Sequence, residues 1–477
     1  MKKEIQFDVL AERYASQAML NIWSSRNKIV YERQLWLAAI KAQAELGLPV
    51  SYDAIQAYKK AIHVIDFNSI AEREVKTRHD VKARIEEFNA VASQFAGVAL
   101  ELIHQGFTSR DLTENVEQLQ ILNALKLVRE KSVSVLSRFI GRAFESKFLV
   151  ICGRSHNVPA QAIILGKRFT NWAEEMLIAF DRLEYLISHY PLRGIKGPTG
   201  TQQDMVDLLG NKEKASAFEK KIQEHLGFAS ILDSVGQVYP RSLDFEVVSV
   251  LLQLASASGN FAKMIRLMAG SELAHEGFGK DQIGSSGMPH KMNSRTCERV
   301  NGLILVLGGF QEMTRGLLGD QWFEGDVSCS VVRRVALQGS FFAIDGLFES
   351  VLTILDEMEI FPAMIEKELD HYLPFLSTTR ILTAVLKKGM GRETAHKIIK
   401  KYALDAIKDI RSGGSTTFVE GLSGDKDFLL SRAEIEEIIS NPNYGLAQEQ
   451  IGKVYIKFIR IALRFPTAAS YNPEPIL

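Results

Sequence analysis

Residues 278–294 read FGKDQIGSSGMPHKMNS and hold an unusual concentration of side chains able to do chemistry. Ser285, Lys291 and Asn293 place a hydroxyl, a cation and an amide within nine residues. Such a set suits a reaction in which negative charge builds on oxygen, because preorganised donors stabilise that charge in the transition state. Gly279, Gly284 and Gly287 permit backbone angles closed to other residues, so a lid is expected here. The same composition also fits a solvated loop.

Other segments carry weaker signals. GRSHNVPAQ (153–161) sets His156 between a helical segment and a turn. Histidine is the usual general acid or base near neutral pH, although a lone loop histidine is often simply polar. KTRHDVKARIEEF (76–88) brings Arg78, His79 and Asp80 to a helix start, where Asp80 suits the helix dipole and His79 has no local explanation. LIHQGFTSRD (102–111) adds His104, Thr108 and Ser109, which also fit a cap for the following helix. The Gly/Ser stretch at 412–424 reads as a loop more readily than as a phosphate cradle. No GxxxxGK[ST], strand-borne GxGxxG, HExxH or GxSxG occurs, so metal-dependent, dinucleotide-dependent and α/β-hydrolase chemistries have no starting point.

Long helices are expected to position these segments. None of the 12 prolines lies between Pro49 and Pro159, or between Pro289 and Pro362. Proline disrupts helix interiors at about 3 kcal/mol, so both gaps leave room for long helices. Ile121, Leu125, Val128, Ser132, Val135 and Phe139 step 4-3-4-3-4, and Val247, Leu251, Leu254, Ser258, Phe261, Ile265 and Met268 continue the same rhythm. Each is a heptad-like seam that keeps one stripe on a neighbouring helix. Strand-like alternation is scarce. An all-α fold is expected, in three zones: helical segments over 1–111, a long-helix bundle over 112–364 and shorter, more charged helices over 365–477. Seams this long also favour oligomerisation.

Composition bounds the partners. The chain has 477 residues, too many for one hydrophobic core, and is 46% hydrophobic and 24% charged, which excludes wholesale disorder. Fifty-seven basic residues balance 57 acidic ones, so no global field draws the protein to nucleic acid or an anionic membrane. Cys152, Cys297 and Cys329 are odd in number and lack CxxC spacing, giving no disulfide framework and no zinc pattern. The opening MKKEIQFDVLAERYAS has no apolar stretch behind its lysines, and no apolar run approaches a membrane span. A cytoplasmic location is expected.

The loop GSSGMPHKMN (284–293) resembles the GSSxMPxKxN signature of the fumarase/aspartase superfamily. Within it the chain resembles the adenylosuccinate lyase family, on ERYAS near the N-terminus, TRHD (77–80), TSRD (108–111), GRSH (153–156), GQVYPRSLD (236–244) and SVVRR (330–334). The likeness covers about the first 340 residues, and the C-terminal zone matches only in helical character. It implies three helical domains and a homotetramer whose central domains share a long-helix bundle. Each active site would draw on three subunits. The implied reaction is β-elimination of fumarate, from adenylosuccinate to give AMP and from imidazole carboxamide ribotide (SAICAR) to give AICAR, with no metal or organic cofactor.

By position in the resemblance, Ser285 is the base, His156 the general acid, Glu298 the orienter of its imidazole, and Lys291 and Asn293 hold the succinyl carboxylate. Phosphate and purine contacts fall to Arg13, Tyr14, Arg78, His79, Asp80, Ser330 and Arg334. Thr108, Ser109 and Gln237 face the succinyl and base moieties, and Arg299 is a further substrate-facing cation. The sequence departs from the pattern at Gly287, Ser294, Val158 and Gly325, the last standing in WFEGD (322–326) where an arginine is common. Arg295 is a candidate replacement for that charge. Rival readings are argininosuccinate lyase, a carboxymuconate cycloisomerase, or a catalytically silent helical scaffold. The nucleotide-phosphate set and the retained Ser285, His156, Lys291 and Asn293 favour the lyase over these.

Overall fold

The fold is described from a computed structural model covering residues 8–279 and 282–475. The outer ends of the first and last expected zones, and Lys280 and Asp281 within the expected lid, lie outside the described residues. The chain is mostly helical, as its proline gaps and apolar periodicity imply.

Five long helices, Ser109–Glu145, Leu165–His189, Ser242–Gly270, Arg295–Arg315 and Cys329–Glu357, pack into a bundle. Both seams are its core: every residue from Ile121 to Phe139 in the first is fully buried, and the second stays buried from Val247 to Met268. Polar partners give the helix directions. Glu117 meets Arg333, Lys131 meets Asp345 and Arg138 meets Asp356, so Ser109–Glu145 and Cys329–Glu357 run parallel. Arg182 meets Gln253 while Glu175 meets Asn260, so Leu165–His189 and Ser242–Gly270 run antiparallel. Lys131 is buried between Asp345 (2.5 Å) and Glu349 (2.6 Å), an arrangement whose disruption costs about 3–5 kcal/mol.

Helices Ser25–Glu45, Tyr52–Ala61, Phe67–Thr77 and Asp80–Ala96 precede the bundle and pack around Trp36, Tyr58 and Phe88. A second hydrophobic cluster lies within 381–435, and the last helix, Ala447–Ala462, returns to pack on Ser109–Glu145 and Leu165–His189. The Gly/Ser stretch is a loop only in its first half, since Phe418–Ser423 is helical.

Two expectations need correction. His156 does not sit beside a helix: strands Val150–Ser155 and Val158–Ile164 pair antiparallel, and His156 and Asn157 form the turn with φ of 51° and 62°. Two successive left-handed residues are the requirement of a tight hairpin turn whose twist matches its strands. The second concerns apolar length. Ser242–Gly270 and Cys329–Glu357 do reach spanning length and hydropathy, but 61% and 89% of their most apolar windows are buried in the bundle, so both are core helices.

Candidate active site

The signature loop is closed at its base by a residue outside it. Glu276 is 3% exposed, and its two carboxylate oxygens accept the backbone amides of Thr296 (2.9 Å) and Cys297 (2.8 Å). It thereby caps the Arg295–Arg315 helix, whose first amides lack intrahelical partners. Burial beside Glu276 pushes the Cys297 thiol well above its ordinary pKa, leaving it a packing residue. Within the loop, the Ser285 hydroxyl accepts the Met288 amide (3.2 Å), and the Asn293 side chain donates to the Gly284 carbonyl (2.9 Å). Lys291 and Asn293 line a cleft of about 680 Å³ together with Glu298, Arg266 and Lys263.

A second cleft, of about 640 Å³, is lined by Arg13, Arg295, Arg299 and Glu276. ERYAS is pinned to the bundle there: the Ser16 amide donates to Asp345 (2.6 Å) and Lys131 donates to the Ser16 hydroxyl (2.9 Å). Gly346 admits this segment, because a Cβ at that position would come within 2.5 Å of Tyr14 Cβ. The Arg299 guanidinium lies over the Tyr14 ring at 5.7 Å.

A third group gathers at the start of Ser109–Glu145. The Thr108 amide donates to Asp111 (2.8 Å), whose other oxygen accepts Lys196 and Gly197 amides and holds the buried Arg193 at 2.5 Å. Arg193 also donates to the Gly236 carbonyl (2.9 Å), and the next amide, Gln237, donates to the Glu324 carbonyl (2.6 Å). Arg110 reaches the Ser330 hydroxyl at 3.4 Å. Thr108, Ser109, Gln237 and Ser330 are thus tied into one corner. Beneath it Arg333 binds Asp244 (2.7 Å), Glu117 (2.5 Å) and the Tyr239 hydroxyl. Burial opposes the Arg333 charge, but Asp244, Tyr239, Glu117 and Glu114 outweigh it and hold its pKa well above the ordinary value. Its neighbour Arg334 lines a separate small cleft with Trp23, Lys28 and Glu117.

The remaining expected residues stand apart. His156 is exposed at the hairpin tip, and Glu298 meets Arg266 at 3.7 Å rather than His156. The expected imidazole–carboxylate pair is not formed within the chain. Arg78 ends the Phe67–Thr77 helix with φ of 50° and is exposed. His79 has a local role after all: its Nδ1 accepts the Lys82 amide at 3.3 Å as the cap of Asp80–Ala96. Asp80 bonds Arg84 at 3.0 Å, and burial notwithstanding, Arg84 keeps its carboxyl below the ordinary range. Sequence reasoning missed Glu276, Asp111, Arg193 and Arg333. Asp111 had a signal, as the third residue after a Thr helix cap; the others depend on remote segments meeting.

Comparison with known proteins gives the family. A family model described as "Lyase" matches residues 1–308, and one described as "Adenylosuccinate lyase C-terminus" matches residues 374–454. The second match corrects the expectation that the C-terminal zone shares only helical character. The adenylosuccinate lyase of Saccharomyces cerevisiae is 34% identical over 98% of this chain and 97% of its own, and that of Schizosaccharomyces pombe is 30% identical over 95% of each. In fold, the crystal structure of 3-carboxy-cis,cis-muconate lactonizing enzyme from Pseudomonas putida superposes with a TM-score of 0.80 at 19% identity, over 95% of this chain and 99% of that one. On these matches and on the signature loop, the chain belongs to the adenylosuccinate lyase family.

Proposed function

We infer that the protein removes fumarate from adenylosuccinate, releasing AMP, and from SAICAR, releasing AICAR, in purine nucleotide synthesis. The observation that carries this reading is the GSSGMPHKMN loop, with Lys291 and Asn293 lining a cleft with Glu298, in a chain of this family. Ser285 takes the proton from the succinyl carbon next to a carboxylate. The electron pair spreads into that carboxylate, where Lys291 and Asn293 stabilise the added charge. The carbon–nitrogen bond then breaks, its electrons go to nitrogen, and His156 protonates that nitrogen as fumarate leaves. Glu298 orients the imidazole. Closure of the loop excludes water and favours the serine alkoxide.

The remaining substrate contacts are Arg13, Tyr14, Arg78, His79, Asp80, Ser330 and Arg334 at the phosphate and purine, Thr108, Ser109 and Gln237 at the succinyl and base moieties, and Arg299 as a further substrate-facing cation. We place them in a homotetramer whose central helices form a common bundle and whose sites draw on several subunits. Two facts support this. Tyr14 packs at Gly346, and Arg334 lies twelve residues earlier on the same helix, about 18 Å away at 1.5 Å per residue. The bundle helices also expose apolar side chains, Leu305 (78%) and Val331 (72%) among them, which a second copy of the chain would cover. The domain division at 111 and 364 belongs to the same reading, as do a cytoplasmic location and activity without an added cofactor.

The test is the ultraviolet absorbance of adenylosuccinate mixed with purified, chelator-treated protein. Conversion to AMP with one fumarate per AMP is expected. An unchanged spectrum from a folded oligomer, with argininosuccinate cleaved instead, would overturn the substrate assignment.

A further inference from the structure

Three guanidiniums and four carboxylates line the 640 Å³ cleft. Arg13, Arg295 and Arg299 line it together, and neither Arg13 nor Arg295 has an ion pair among the described residues. Three of its four carboxylates are already engaged. Glu276 accepts two backbone amides, Asp356 holds Arg138 at 2.6 Å, and Glu474 accepts the Gln17 amide at 2.9 Å. Burial, and the nearby charges of Arg13 and Arg295 working against Tyr14 and Glu276, lower the Arg299 pKa from its ordinary value. Converging guanidiniums repel one another, and a doubly charged anion bound between them relieves that repulsion with paired N–H donors.

Position 325 does not offer an alternative cation. Gly325 has φ of 134°, in the region open to glycine, and a Cβ there would lie 3.0 Å from Val238 and 3.4 Å from Gln237. An arginine at 325 would require this loop to refold. Arg295, by contrast, is exposed at the first position of its helix, one turn before Arg299 and directly after the signature loop. Residues 295 and 299 are four apart and so share a helix face.

We propose that Arg295 binds the phosphate of the substrate nucleotide alongside Arg13 and Arg299, and so sets the preference for a nucleotide over the corresponding nucleoside. The proposal rests on the adenylosuccinate reading above.

The test compares the wild-type oligomer with Arg295→Met, which keeps length and removes charge, and Arg295→Lys. Substrates are adenylosuccinate and its dephosphorylated nucleoside, and thermal stabilisation by inorganic phosphate is measured in parallel. For Arg295→Met, KM for adenylosuccinate should rise about 10- to 100-fold, as expected for loss of a charged hydrogen bond, with nucleoside kinetics unchanged. The phosphate-induced shift in Tm should shrink, and Arg295→Lys should recover part of both. Equal losses on nucleotide and nucleoside, or an undiminished phosphate shift, would overturn the proposal. The phosphate shift does not depend on turnover, so a wild-type protein that stabilises with phosphate yet leaves adenylosuccinate intact would refute the substrate reading and not this one.

Discussion

The carboxylate of Glu276 accepts the backbone amide of Cys297 at 2.8 Å, closing a 21-residue excursion that carries the whole signature loop. A second bond, to Thr296, makes the closure bidentate. The loop is therefore hinged on a buried acid directly after a short strand, Ala274–His275, which is itself paired to Glu359–Ile360 at the end of the parallel bundle helix. Bundle and loop are joined at that point.

Glu276→Ala should consequently affect stability and turnover together. Loss of a helix-capping acid that satisfies one buried and one half-buried amide costs about 1–2 kcal/mol. Because the loop's base is released, kcat should fall more than KM rises. Glu276→Gln retains one accepting oxygen and should lie between. Calorimetry and steady-state kinetics on the same preparations check this; a lowered Tm with wild-type kcat would leave Glu276 as a helix cap without influence on the loop.

His156 and Glu298 are not paired within the chain, which bears directly on the assembly. Ser285→Ala and His156→Ala should each lower kcat by about 100-fold or more, as expected for removal of a base or acid. If the two groups in one site come from different subunits, mixing and reassembling these variants should restore up to about a quarter of wild-type activity, the share of sites that receive both native residues. A site complete within one chain would show no recovery.

The bundle was legible because burial follows a fixed helical period. Each residue of the Ile121–Phe139 seam is fully buried, small Ser132 included, and Ser132 satisfies its hydroxyl on the Val128 carbonyl within the helix. The signature loop was legible as a family motif from residue type and spacing. The hairpin was not: its strands are six and seven residues long, and its turn relies on His156 and Asn157 taking left-handed angles without a glycine. Residues that bind across long sequence separations were equally hidden. Arg193 lies in a Gly/Pro-rich passage that reads as an interruption, yet it joins Asp111 to Gly236 across 125 residues of chain. Periodicity reports which face of an element is buried and says nothing about which remote segment meets it.

That junction is a prediction in itself. Asp111 and Arg193 have fully buried side chains, so Asp111→Ala leaves a buried guanidinium without its carboxylate and should destabilise the protein by about 3–5 kcal/mol. The double variant Asp111→Leu with Arg193→Met removes both charges and should be less destabilised than Asp111→Ala alone. Urea unfolding of the three proteins checks the order. Because the junction ties the Thr108 and Gln237 segments together, the double variant should also show a raised KM for the succinyl-nucleotide. Equal stability of single and double variants would show that the pair is not coupled.

His104 gives a pH dependence that is independent of catalysis. Its Nδ1 accepts the Trp36 indole N–H at 3.1 Å, which requires that nitrogen to be unprotonated. Burial, and then the charges of His79 and Lys82, lower its pKa from 6.5 to about 4. Between those values the unfolded chain binds the proton and the folded chain does not, so stability falls as pH drops from 6.5 to about 4 and loses nothing further from this group below that. At 1.36 kcal/mol per unit the loss is about 3 kcal/mol. In His104→Gln the amide oxygen can still accept the indole hydrogen and no longer titrates. Urea midpoints measured at pH 7, 5.5 and 4.5 should therefore fall less steeply in His104→Gln than in the wild type, and parallel profiles would assign the acid instability to the carboxylates instead.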